Sequence, residues 1–202
     1  MIAAYALSGL GLVPHLAQAK ADMVETIVMV RHGEKPMLGL GQLNCQGLNR
    51  ALALPKVIQA KFGKPDLIVA PDPARQKKDA GVMYDYVRPL ATIEPTAVYF
   101  GMPISAALGY DQVDALDALL TSEQNNDRLI VVAGEHRNIE AVARQLVKEF
   151  GGSGDVVPRW HGRDFDSIYV VHIHRGDGPV RVDFQLDHEG LDNRSSVCPA
   201  GS

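Results

Sequence analysis

Three short runs, TIVMV (26–30), DLIVA (66–70) and RLIVVA (128–133), place apolar, mostly β-branched residues on consecutive positions. Each is too short for a helix. Their lack of polar alternation predicts strands buried on both faces. Between the runs the apolar period changes. Leu48, Leu52, Val57, Ile58 and Phe62 predict a helix over 45–62, with Asn44 as its cap and Gly63 as its end. Further helices are predicted over 88–100, where Pro89 falls in the first turn, over 111–120, and over 138–150, closed by Gly151 and Gly152. SIYVVHI (167–173) and VRVDFQL (180–186) read as two more strands, joined through the hairpin turn HRGDGP. Pro71 to Val87, Pro-rich and polar before it turns aromatic, reads as a long loop. The first strand–helix–strand unit predicts a parallel pair with a right-handed crossover. Together these elements predict an α/β fold, a three-layer sandwich with a mixed, mostly parallel sheet and helices on both faces.

Composition adds scale. The 202 residues are 46% hydrophobic and 22% charged, enough for one sizeable core. A formal charge of −4 gives no support for a nucleic-acid partner or an anionic membrane. Residues 1–21, MIAAYALSGLGLVPHLAQAKA, are apolar and close on Ala17-Gln18-Ala19 and Ala19-Lys20-Ala21, which fit the small-x-small rule for a cleaved leader. No Lys or Arg precedes the apolar part. The expected division is a signal peptide over 1–21 and a single domain over 22–202. The location is then periplasmic or secreted, and otherwise cytoplasmic; stable membrane insertion is not expected. Cys45 and Cys198 would close a disulfide in an oxidising compartment.

The chemistry gathers where buried strands end. In open α/β sheets, ligands bind beyond the carboxyl ends of the strands. The first run ends on Arg31, His32 and Gly33, and the third on Gly134, Glu135 and His136. An imidazole there can act as a nucleophile, and a neighbouring guanidinium can hold an anion at two points. A single histidine at a strand end is more often structural. Two with the same placement point to a site.

VMVRHGEKP resembles the signature of the histidine phosphatase superfamily, the phosphoglycerate-mutase-like enzymes. LNCQGLNRALAL is similar to the segment that follows that signature, LIVVAGEHRNI to the second-histidine strand, and RWHGRDFDSIYVV to a Trp-to-Phe-Asp ending of one bacterial branch. The resemblance runs from Glu25 to Val171. It implies a phosphoglycerate-mutase-like fold and phosphomonoester hydrolysis through a phosphohistidine at His32. Arg31 and a second arginine would clamp the phosphoryl group, and His136 would steady its charge. The resemblance implies no cofactor and no metal, since guanidinium and imidazolium supply the positive field. The partner is a small phosphomonoester or phosphate. A phosphomutase, or a non-catalytic phospho-ligand-binding module of the same fold, is the alternative reading.

The second arginine departs from the family's spacing. Arg75 has the right distance from the second strand but Asp79 at the threonine position. Arg88 has Thr92 at the right offset and opens a helix, where an anion is favoured. Arg88 is preferred, with Pro71 to Val87 as an inserted loop over the pocket. For the general acid, Glu135 is preferred and Glu94 is the alternative. Glu34, next to Gly33, reads as a residue that orients the loop or pairs with a cation. His172 and His174, with Asp177, Asp183 and His188 near, have no recognisable metal spacing. Trp160 and Phe165 read as packing residues. Substrate identity and oligomeric state have no legible code.

Overall fold

The computed structural model describes residues 23–199; the expected leader over 1–21 lies outside them. The chain runs through β1 (Met23–Arg31), α1 (Cys45–Lys61), β2 (Leu67–Val69), β3 (Lys77–Asp79), β4 (Val82–Tyr84), α2 (Arg88–Phe100) and α3 (Val113–Leu120). It continues through β5 (Leu129–Gly134), α4 (His136–Glu149), β6 (Ser167–Arg175) and β7 (Arg181–His188). Five strands form one sheet in the order β2-β5-β1-β6-β7. β1, β2 and β5 run parallel, while β6 is antiparallel to β1 and β7 to β6.

Strand alternation divides the core between two faces. Ile27 and Met29 of β1, with Ile130 and Val132 of β5, meet Leu120 of α3 and Ile139, Val142 and Leu146 of α4. Val28, Val30, Val131 and Ala133 point the other way, onto Leu54 and Ile58 of α1 and Ile93 and Ala97 of α2. Helices therefore cover both faces, as the residue pattern predicts. Burying each of these larger side chains stabilises the fold by roughly 1.5–3 kcal/mol. Among the described residues, no helix is long and apolar enough to cross a membrane.

The structure corrects three details. First, β1 and β2 are parallel but not neighbours. β5 lies between them, with Val131 facing both Val28 and Ile68. β2 is three residues long and suits an edge, whereas Ile130 to Ala133 are all buried and take the interior. Second, α4 begins at His136, two residues earlier than the pattern indicates. The Glu135 carbonyl accepts the Asn138 and Ile139 amides at 3.0 Å each, and the Asn138 side chain donates to the Tyr110 carbonyl at 2.5 Å. Third, Pro71 to Val87 contains the antiparallel hairpin β3–β4. Ala80 and Gly81 turn it, both at positive φ.

Cys45, the first residue of α1, is bonded to Cys198. The Asn49 side chain also donates to the Ser195 and Val197 carbonyls at 2.8 Å. The C-terminal tail is thereby held along α1.

Candidate active site

β1 and β5 end side by side. Arg31 is in register with Gly134, and the His32 amide donates to the Gly134 carbonyl at 2.9 Å. The two strands therefore deliver His32 and His136 to one crevice.

His32 is 2% exposed. Its Nδ1 lies 2.8 Å from the Gly33 carbonyl, which assigns the ring proton to Nδ1 and leaves a lone pair on Nε2. Burial pushes its pKa down to about 3, with Arg88, Arg31 and Lys35 pushing the same way and the Gly33 carbonyl opposing. The imidazole is neutral at physiological pH, as a nucleophile must be.

Gly33 has no room for a side chain. A Cβ there would sit 2.9 Å from both Cα and O of Gly47, and one on Gly47 would sit 2.3 Å from the Glu34 carbonyl oxygen. The motif loop is thus seated directly on the first turn of α1. Asn44 caps that turn, accepting the Gly47 amide at 2.8 Å. Glu34 continues the contact by pairing with buried Arg50 at 2.9 Å. Of the two readings the sequence allows for Glu34, the pairing with a cation is the one observed.

Arg31 is held by the segment before β6. One terminal nitrogen donates to the Gly162 carbonyl at 2.9 Å and the Asp164 carbonyl at 2.6 Å, and the guanidinium lies 3.7 Å over the Phe165 ring. Burial lowers its pKa to about 10, so it stays cationic at neutral pH. Trp160 packs on Tyr169 at 4.2 Å, a core contact as expected, but Phe165 belongs to the site.

Arg88 is the first residue of α2 and is almost fully buried. One of its nitrogens is bonded to Asp79, whose other oxygen accepts from Lys35 at 2.7 Å. Burial alone would raise the Asp79 pKa, but the Lys35 and Arg88 bonds hold its carboxyl below the ordinary range. Arg75 lies elsewhere, exposed and paired with Asp111 at 2.8 Å. Arg88 thus lies beside His32 with Arg31, and Arg75 does not.

His136 opens α4. Its Nδ1 is 3.0 Å from Glu135 Oε1, close enough for an ion pair yet out of line for a hydrogen bond. Burial lowers the His136 pKa, and Arg31 adds to the effect. Glu135 also faces Lys77 of the hairpin at 3.5 Å. Glu94 is exposed on α2, beside Leu48, Leu52 and Val98, and does not join the site. Behind Glu135, a small cavity of about 40 Å³ is lined by Tyr110, Leu116, Val132, Asn138 and Ile139, among others.

Among the described residues, eight buried side-chain polar atoms lack a hydrogen-bond partner. Four of them are Arg31 Nε, Arg88 Nε, His136 Nδ1 and the Tyr86 hydroxyl. Buried polar atoms are normally satisfied. Those on Arg31, Arg88 and Tyr86 form a cradle of open donors around one neutral histidine, which the acceptor oxygens of an anion would satisfy.

Arg31, His32, Arg88, Glu135 and His136 are thus brought together. Sequence reasoning missed Tyr86, Lys77, Asp79 and Phe165. The first three come from the hairpin segment, which has no periodic signal. His172 and His174 both bond Asp183, at 3.2 and 2.7 Å. They lie toward the start of β1, opposite Val24 and Thr26 and away from Arg31.

No family model matches this chain, and no curated protein does. Solved structures do. A candidate phosphohistidine phosphatase SixA from Nakamurella multipartitia superposes with a TM-score of 0.54 at 16% identity, covering 82% of this chain and 96% of the other. One from Agrobacterium tumefaciens gives 0.52 at 16% identity, covering 80% and 97%. A mycobacterial glucosyl-3-phosphoglycerate phosphatase, solved with inorganic phosphate, gives 0.52 at 18% identity, covering 81% and 95%. At these identities the likeness establishes the fold alone: this chain shares the fold of these phosphatases.

Proposed function

We propose that the protein hydrolyses phosphomonoesters through a phosphohistidine at His32. The observation that carries this reading is the cradle itself. A neutral, buried imidazole with a free Nε2 lies among unpartnered donors on Arg31 and Arg88, with His136 beside Glu135 at the same strand ends.

In the first step His32 Nε2 attacks phosphorus and the bond to the leaving oxygen breaks. Glu135, in its protonated form, gives that oxygen its proton. In the second step the Glu135 carboxylate takes a proton from water. The oxygen of that water attacks phosphorus, the N–P bond breaks, and phosphate and neutral His32 are regenerated. Arg31 and Arg88 carry the charge on the transferring group in both steps. They are preorganised, since Gly162, Asp164 and Asp79 already fix one nitrogen of each. The reaction as drawn needs no metal.

The test is hydrolysis of p-nitrophenyl phosphate by the chain beside His32→Ala, with chelator present. Turnover that survives chelator and is lost in His32→Ala supports the reading. Phosphate binding without turnover would instead favour a non-catalytic binding module.

We also propose an exported location, periplasmic or secreted. The Cys45–Cys198 bond supports it, because disulfides persist in oxidising compartments.

A further inference from the structure

Tyr86 is the largest apolar-bodied side chain around His32, and it is fully buried. Its ring meets the His32 ring edge-on at 6.1 Å and the Tyr110 ring at 5.2 Å. Two cations lie against its face, Arg88 at 5.0 Å and Lys77 at 5.1 Å. The ring is therefore fixed on several sides. Its hydroxyl, however, has no hydrogen-bond partner. It lies beside the Arg88 guanidinium without bonding geometry, within the fields of Glu135 and Arg31.

A buried phenol with an open hydroxyl is unfavourable in the free protein, because its donor has lost water and gained no partner. Burial also raises its pKa, so the group keeps its proton and remains a donor. Arg31 and Arg88 accept nothing, so they offer this donor no acceptor. A phosphoryl group on the open Nε atoms of those arginines would bring acceptor oxygens to the same place.

We propose that Tyr86 is a phosphoryl-binding residue of this site, its hydroxyl donating to a phosphoryl oxygen held between Arg31 and Arg88. This rests on the phosphatase reading and deepens it. The segment before α2 is then a working wall of the site. It contributes Tyr86 as a donor, Lys77 as the cation on Glu135, and Asp79 as the anion that positions Arg88.

The test is calorimetric titration of inorganic phosphate into the full chain and into Tyr86→Phe. Competition by phosphate against p-nitrophenyl phosphate hydrolysis provides a second readout. The phenylalanine ring keeps the contacts with His32 and Tyr110, so the melting temperature should not fall. Phosphate affinity should drop about tenfold or more, the loss expected for one hydrogen bond to a charged group. The competition constant should rise in parallel. A folded Tyr86→Phe that binds phosphate within about twofold of wild type overturns the proposal, as does a wild-type protein that binds no phosphate. Wild-type phosphate binding without hydrolysis would sink the hydrolase reading alone, and the Tyr86 comparison would still be decided by the titration.

Discussion

The amide of Gly33 donates to the Thr92 hydroxyl at 2.9 Å, and that hydroxyl donates in turn to the Arg88 carbonyl at 2.8 Å. One buried side chain thus ties the loop after His32 to the helix that carries Arg88. The four-residue spacing of Arg88 and Thr92 makes this possible, because such residues share a helix face.

Thr92→Val keeps the shape and removes the acceptor. The Gly33 amide is then buried without a partner, and stability should fall by about 1–3 kcal/mol. kcat/KM for p-nitrophenyl phosphate should fall at least about tenfold as the motif loop loosens. Thr92→Ser should retain most of both. Thermal melts and steady-state kinetics on the two variants decide it; a valine variant equal to wild type would remove the link.

Arg88→Ala and Arg75→Ala separate the two candidate arginines. Loss of Arg88 should cost on the order of a hundredfold or more in kcat/KM, because it removes a buried charge at the transferring group. Loss of Arg75 breaks only an exposed pair with Asp111 and should leave turnover within about twofold. The reverse pattern would reassign the site.

Two buried groups should give stability a two-sided dependence on pH. His32 falls from 6.5 to about 3 in the fold, so between those values the unfolded chain binds more protons and stability rises with pH. Glu189 is buried against Arg50, which also faces Glu34, Asp166 and Asp192. Burial pushes Glu189 from 4.5 up to about 8, so across that span the folded chain holds more protons and stability falls as pH rises. The two slopes oppose one another between 4.5 and 6.5. Glu189→Gln should flatten the decline from 6.5 to 8 and leave the acid decline in place. Melting curves across that range check this; an unchanged alkaline slope would show that Glu189 does not carry it.

Reducing the Cys45–Cys198 bond, which closes a loop of 153 residues, should destabilise the protein by about 5 kcal/mol in the chain-entropy picture. Denaturant melts with and without reductant measure this. A shift below about 1 kcal/mol would mean that the unfolded chain already keeps those two ends close without the bond.

The residues most legible in the sequence are those whose position follows from a strong local pattern. Arg31, His32, Glu135 and His136 follow buried strands, so their shared end of the sheet could be read directly. Arg88 was legible through Thr92. Tyr86, Lys77 and Asp79 were not. The hairpin's strands are three residues long, Lys-Lys-Asp has no apolar period, and its partners are Lys35, Arg88 and Glu135. Phe165 read as packing, and it does pack, but on a guanidinium. The sheet order was hidden for a related reason. Local connectivity makes β1 and β2 parallel, whereas relative burial decides that β5 stands between them.

The bond from Cys45 to Cys198 has a topological consequence as well. It makes most of the described chain a covalent ring that contains every helix and all strands except β1. A protease that nicks a single peptide bond anywhere inside that ring opens it without releasing a fragment. The hairpin beside the cradle could be cut in this way while His32 and His136 remain on one molecule. Only reduction after the cut would let the pieces part.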